Sequence, residues 1–298
     1  MRDFQYYTPT KVIFAKDAEQ NTGAELKAQG ASKVLVHFGG SSAQKSGVLD
    51  RIYASLKAEG IDYVSLGGVV PNPLLSMVRQ GIDLCRKEKV DYILAVGGGS
   101  VIDSSKAIAL GVPLEEDIWE VFLKKITPKT TLPVSAVLTI AAAGSEMSDS
   151  MVITNEDGLL KRGYNNNIIR CKTAFMNPAL TATLPEYQTA SGCVDILMHT
   201  LERYFARDTL DITDHIAEGL MKSIISQAGM VMKDPNNIDL RASIMWANSL
   251  SHNGLTECGS VKDFAVHQLE HELSGMFDVA HGAGLAAVWP SWSRYVYK

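Results

Sequence analysis

Apolar residues in the first half of the chain fall in short, nearly continuous runs, each ending at small or glycine residues. Residues 33–38 (Lys-Val-Leu-Val-His-Phe) form one such run and stop at Gly39-Gly40; residues 63–66, 92–96 and 134–139 repeat the pattern. Runs of this length without in-and-out alternation are those of strands buried on both faces of a parallel sheet. Between them, apolar residues recur three and four positions apart. Val48, Leu49, Ile52 and Leu56 mark a helix over 48–59, Val78, Ile82 and Cys85 one over 74–89, and residues 101–110 continue the pattern. Strand and helix alternating at this spacing predict βαβ units and a parallel sheet covered on both faces. Near the start, residues 4–14 read as an extended segment around Pro9, an edge strand or a hairpin.

After about Pro185 the pattern changes. Residues 186–207, 215–232, 240–252 and 261–275 all carry helical period, punctuated by Pro235-Asn236-Asn237 and Asn253-Gly254. No strand of comparable quality follows. The expected fold class is α/β plus all-α: a dinucleotide-binding α/β domain over 1–185, then a helical metal-binding domain over 186–298.

Composition narrows the function classes. The net charge of −5 is spread along the chain, with no basic run of the kind that binds nucleic acid. Apolar stretches are broken well short of membrane-spanning length, and the N-terminus has no secretory pattern. Cys85, Cys171, Cys193 and Cys258 are widely spaced, as buried thiols are. A cytoplasmic enzyme with no nucleic-acid or membrane partner is expected.

Two features carry chemistry. Asp195 and His199 are four apart, as are His267 and His271, and His281 follows; these four histidines are more than half of the chain's seven. On a helix that spacing places each pair on one face, where side chains converge on one ion. Imidazoles with a carboxylate suit iron(II), zinc or manganese better than calcium or magnesium. Spacing alone pairs His267 with His271 as readily as with any other partner. The second feature is Gly97-Gly98-Gly99-Ser100, between a strand and a helix, where open backbone N–H groups favour a pyrophosphate. The earlier turn, Gly39-Gly40-Ser41-Ser42, lacks the acid that binds the ribose of NAD, and its small groups and hydroxyls admit the 2′-phosphate of NADP.

Taken together, these stretches resemble the iron-containing alcohol dehydrogenase family, in its NADPH-dependent, butanol dehydrogenase-like branch. The points of resemblance are Gly97 to Asp103, the Pro71-Asn72-Pro73 turn, Thr139 with Gly144-Ser145-Glu146, Asp195 with His199, and the run from His267 through His271 to Asp278 and His281. They span nearly all of the chain. The resemblance implies a Rossmann-like N-terminal domain, a helical C-terminal domain and an active site in the cleft between them. It implies one divalent metal, iron(II) or zinc, on Asp195, His199, His267 and His281, with His271 beside the nicotinamide as the catalytic proton relay. It carries cofactor contacts, for NADP(H) in preference to NAD(H), onto Gly39, Gly40, Ser42, Asn72, Gly98, Gly99, Ser100, Asp103, Thr139, Ser145 and Lys161. The expected reaction is hydride transfer between NADP(H) and a small aldehyde or primary alcohol, by a homodimer. Alternatives are a polyol dehydrogenase or dehydroquinate synthase-like enzyme on the same fold, or a catalytically impaired remnant. The sequence departs from the family at Ala143, where a threonine is usual, at Ser148, where an asparagine is common, and in stopping soon after His281, so the helical domain is expected to be short.

Overall fold

The computed structural model describes residues 1–208 and 210–297. The chain forms two compact units. The α/β unit comprises Pro9–Thr139 and Asp149–Asn177; the helical unit comprises Met1–Thr8, Ile140–Ser148 and Pro178–Lys298. A single division at residue 185 therefore misses three segments that pack with the helices. The reasons are local. Arg2 N–H donates to the Gly259 carbonyl at 3.1 Å, and the backbone of Ala142 and Gly144 bonds to Asn248.

In the α/β unit the elements run β1 (Lys11–Phe14), α1 (Thr22–Ala28), β2 (Lys33–Phe38), α2 (Ser42–Lys45), α3 (Val48–Ala58), β3 (Asp62–Leu66), α4 (Leu75–Glu88), β4 (Tyr92–Gly97), α5 (Gly99–Gly111), α6 (Trp119–Phe122), β5 (Val134–Leu138), β6 (Ser150–Asn155), β7 (Leu160–Asn165) and β8 (Thr173–Met176). Six strands form one sheet in the order β1-β8-β5-β4-β2-β3, parallel throughout. Its inner strands β4, β5 and β8 are buried at every position, as strands covered on both faces of a parallel sheet are. The outer strands β1 and β3 are largely exposed, which marks them as edges. The extended N-terminal segment thus supplies an edge strand, not a hairpin, and only its last four residues pair.

The antiparallel hairpin β6–β7 had no counterpart in the sequence pattern. It docks on α5 and α4 rather than in the main sheet. Asp103 on α5 accepts from Val152 N–H at 2.9 Å, buried Lys106 donates to the Ser150 carbonyl at 2.9 Å, and Thr154 N–H donates to the Pro73 carbonyl at 2.8 Å.

The helical unit contains α7 (Glu186–Tyr204), α8 (Asp211–Lys233), α9 (Ile238–His252), α10 (Ala265–Phe277) and α11 (His281–Val296). Helix α7 packs against α8, α9 and α11, and α10 against α11. Its buried positions include Gly192, Asp195, Ile196, His199 and Arg203, a stripe at helical period. Among the described residues, no strand follows Pro185 and no helix is long and apolar enough to cross a membrane.

Candidate functional site

Because the main sheet is parallel, the carboxyl ends of its strands share one edge. The chain passes from β2 to β3 on one side of the sheet and from β4 to β5 on the other, so the strand order reverses between β2 and β4. Crevices at such reversals bind nucleotides. Gly39 and Gly40 follow β2, Ser42 opens α2, and Gly98 leads into α5, so both glycine turns flank this point. Gly98 has no side chain to cap α5. The opening N–H groups at Gly99 and Ser100 lie at the positive end of a 13-residue helix, where an anion is favoured. Thr139, just beyond β5, donates its N–H to the Gly97 carbonyl at 3.1 Å.

Three further expected cofactor residues lie in the α/β unit or on its hairpin. Asn72 is buried with a left-handed backbone, φ 55°, and its Oδ1 accepts from Lys161 Nζ at 2.9 Å. The hairpin absent from the sequence reading thus delivers the Lys161 ammonium, from β7, to the Pro71-Asn72-Pro73 turn. Asp103 makes the bond to β6 described above. Ser145 belongs to the helical unit and is buried in the segment Ile140–Ser148. That segment is held by Asn248, a fully buried residue of α9 that the sequence did not single out. Asn248 Oδ1 accepts from Ala142 N–H at 2.9 Å and from Gly144 N–H at 2.7 Å, while its Nδ2 donates to Glu146 at 2.9 Å.

The histidines and Asp195 meet inside the helical unit. Asp195 and His199 share the buried face of α7, one turn apart; His267 lies in the first turn of α10, and His281 opens α11. Donor atoms of Asp195, His267 and His281 all lie within 4.8 Å of one another. The Nε2 atoms of His267 and His281 are each 3.7 Å from Asp195 Oδ1. His199 lies beside this trio: its Nδ1 is 3.1 Å from the same carboxylate oxygen and donates to the Asp195 carbonyl at 3.0 Å. Its ring centroid is 4.4 Å from that of His267. His271, one turn beyond His267, is partly exposed and stands next to His281, with centroids 5.7 Å apart. A Cβ on Gly282 would fall 1.9 Å from the Ser191 carbonyl oxygen, so only glycine lets the start of α11 approach α7 closely enough to bring His281 to Asp195.

These residues fit a divalent transition metal. His267 Nε2 is buried with no hydrogen-bond partner among the described residues, an arrangement that costs free energy unless something electrophilic faces it. Burial pushes the Asp195 carboxyl up, but His199, His281 and His267 outweigh it and hold Asp195 well below the usual carboxylate range. Burial brings His199 down to about 4, so its imidazole is neutral, as a ligand must be. For His267 burial acts downward, yet the neighbouring carboxylates of Asp195 and Glu202 prevail and raise it.

Sequence reasoning missed the residues behind the histidines. Glu202 on α7 accepts from His267 Nδ1, and its other oxygen accepts from Val266 N–H at 2.7 Å. Glu270 on α10 accepts from His281 Nδ1. Both acids are buried. Arg203 is buried too, donating to the His199 carbonyl at 2.7 Å and to His252 Nδ1 at 3.0 Å while stacking over Phe264. Charged residues on a helix ordinarily face water, so only the i,i+3 position of Glu202 and Glu270 relative to His199 and His267 offered a signal.

Residues 9–178 match the family model for iron-containing alcohol dehydrogenase, and residues 189–298 the C-terminal model for the Fe-containing alcohol dehydrogenase family. The chain is 40% identical to NADH-dependent butanol dehydrogenase A of Clostridium acetobutylicum, over 99% of this chain and 76% of that protein. It is 36% identical to an NADPH-dependent aldehyde reductase of Escherichia coli, over 98% of this chain and 75% of that one. The crystal structure of an NADH-dependent butanol dehydrogenase A from Thermotoga maritima superposes with a TM-score of 0.98 at 41% identity, covering 100% of this chain and 75% of that one.

Proposed function

Starting from the fact that the chain belongs to the iron-containing alcohol dehydrogenase family and is a metal-dependent oxidoreductase of alcohols and aldehydes using a nicotinamide cofactor, we propose that it transfers hydride between NADP(H) and a small aldehyde or primary alcohol of the butanal and butanol type. The metal is iron(II) or zinc on Asp195, His199, His267 and His281. The observation that carries this reading is the convergence of the His267 and His281 Nε2 atoms on one buried oxygen of Asp195.

When bound, the metal supplies Lewis-acid polarisation of the substrate oxygen, and the nicotinamide supplies or accepts the hydride. The protein supplies placement and proton handling. Asp195 contributes the one negative charge among the four ligands. Partly exposed His271, adjacent to His281, takes up or hands on the proton of the substrate oxygen at an imidazole nitrogen. Gly98, Gly99 and Ser100 hold the pyrophosphate on their N–H groups, with Asp103 and Thr139 supporting the same cofactor. Asn72 fixes the Lys161 ammonium for the ribose or phosphate.

The preference for NADP rests on the turn after β2. Residues 39–47 contain no acid, and Gly39, Gly40 and Ser42 leave room for a 2′-phosphate with Lys45 close by in sequence. The relatives divide, since their names include both NADH- and NADPH-dependent enzymes. The open side of edge strand β1 supports a homodimer.

The test uses chain stripped of metal and reloaded with iron(II) or zinc, with butanal as substrate and NADPH or NADH as reductant. Metal-dependent turnover with a higher kcat/KM for NADPH is expected. Turnover that survives chelation contradicts the metal assignment, and a higher kcat/KM for NADH contradicts the reading of the Gly39–Ser42 turn.

A further inference from the structure

We infer that Glu202 and Glu270 are positioning residues that fix the ring tautomers of His267 and His281, so that both present Nε2 to the metal. The inference rests on the metal assignment proposed above and adds two acids to which that assignment gives no role. A carboxylate can only accept a hydrogen bond, so the proton in each pair belongs to the histidine Nδ1. Neutral imidazole carries one N–H, and with that proton on Nδ1 the lone pair is on Nε2. Those Nε2 atoms are the ones 3.7 Å from Asp195 Oδ1. His199 follows the same rule by another route, its Nδ1 donating to the Asp195 carbonyl one turn earlier on α7. All three rings are thereby oriented before any ion arrives, and the ordering entropy is met by folding rather than by binding.

The two acids are built in differently. Glu202 serves α10 and His267 at once. Its second oxygen takes the Val266 N–H in the first turn of that helix, so it also sets where the helix begins. Glu270 lies against α11 at Gly284, where a Cβ would fall 2.8 Å from its Cγ and 2.9 Å from Oε1. A side chain at 284 therefore meets Glu270 first and forces it to shift, so Gly284→Ala probes the acid independently of its own substitution.

The experiment measures cobalt(II) affinity by chelator competition, and the visible d–d spectrum of the bound ion, for the native chain, Glu202→Gln, Glu270→Gln, Gly284→Ala and His267→Ala. Imidazole nitrogen shifts in the metal-free proteins report the tautomers, and each variant's melting temperature is taken with and without cobalt. The expected result is a loss of affinity of roughly 10- to 100-fold in each glutamate variant. An altered spectrum and a smaller cobalt-induced rise in Tm accompany it, and Gly284→Ala shifts in the same direction as Glu270→Gln. A purely structural role lowers Tm equally with and without cobalt and leaves affinity and spectrum alone, which overturns the inference. Native affinity and native tautomers in both glutamate variants also overturn it, while His267→Ala alone losing cobalt leaves the ligand assignment standing. Failure of the native chain to bind cobalt, or native-like binding by His267→Ala, removes the ligand assignment itself and the inference with it.

Discussion

The two candidate sites are built from different materials. On the α/β unit, the nucleotide side consists largely of backbone: glycine turns at the ends of β2 and β4, and the uncapped start of α5. In the helical unit, the metal side consists of buried or half-buried ionisable side chains, each set against another: Asp195 against three imidazoles, His267 against Glu202, His281 against Glu270. A backbone site tolerates side-chain changes that keep the turn and fails when a wrong charge is added. A site of buried charges fails when any partner is removed, because the remaining one is left desolvated and unpaired.

Substitutions separate the two. The largest effect is expected from His267→Ala, which removes a ligand and strands Glu202. Loss of a Lewis acid worth several kcal/mol lowers turnover by roughly a thousandfold or more, and metal analysis should find little bound ion. Retained activity at low metal content breaks the contrast at once.

Asn248→Ala is expected to act on stability as much as on activity. It leaves two backbone N–H groups and a bond of Glu146 without their partner, at a cost of about 2–4 kcal/mol, read as a lower midpoint in urea denaturation. An unchanged midpoint would mean that the segment Ile140–Ser148 is held by other contacts.

His37 sharpens the contrast from the α/β side, where a buried titratable group serves packing alone. On β2 it donates from Nδ1 to the Leu66 carbonyl at 2.8 Å, and Ser104 donates to its Nε2 at 2.9 Å. Burial brings it from 6.5 down to about 4. A depressed folded pKa contributes stability that is complete above the unfolded value and lost as pH falls. The contribution, on the order of 3 kcal/mol, should therefore disappear between pH 6.5 and 4. Denaturation across that window checks it: His37→Phe should flatten the slope, and an unaltered slope assigns the acid sensitivity elsewhere.

The smallest effect is expected from Ser42→Asp. A carboxylate near a 2′-phosphate in a largely solvated turn costs about 1–3 kcal/mol, or roughly a tenfold to hundredfold loss in NADPH affinity, with NADH much less affected. Equal affinity for NADPH before and after places the phosphate elsewhere.

What the sequence revealed follows the same division. The strands 33–38, 92–96 and 134–139 were legible within a residue because burial on both faces leaves a nearly continuous apolar run. The hairpin β6–β7 was not. Its strands carry Lys161, Arg162 and Asn165, and it is held by Asp103 and Lys106 of a helix far off in sequence, so no local pattern announces it. The helix α11 was also missed, since its buried positions are Gly282, Gly284 and Leu285 and small residues give little periodic signal. Among site residues, the metal-side histidines stood out because they are rare and spaced by a helical turn. Glu202, Glu270 and Asn248 did not, because an acid or amide on a helix looks the same whether it faces water or a buried partner.

The most direct test of this account measures bound metal and NADPH affinity side by side in His267→Ala and Ser42→Asp, by metal analysis and NADPH fluorescence titration. Two separately built sites predict a double dissociation. His267→Ala loses metal and keeps NADPH affinity within about twofold, and Ser42→Asp keeps metal and loses NADPH. Loss of both properties in either variant would contradict the account.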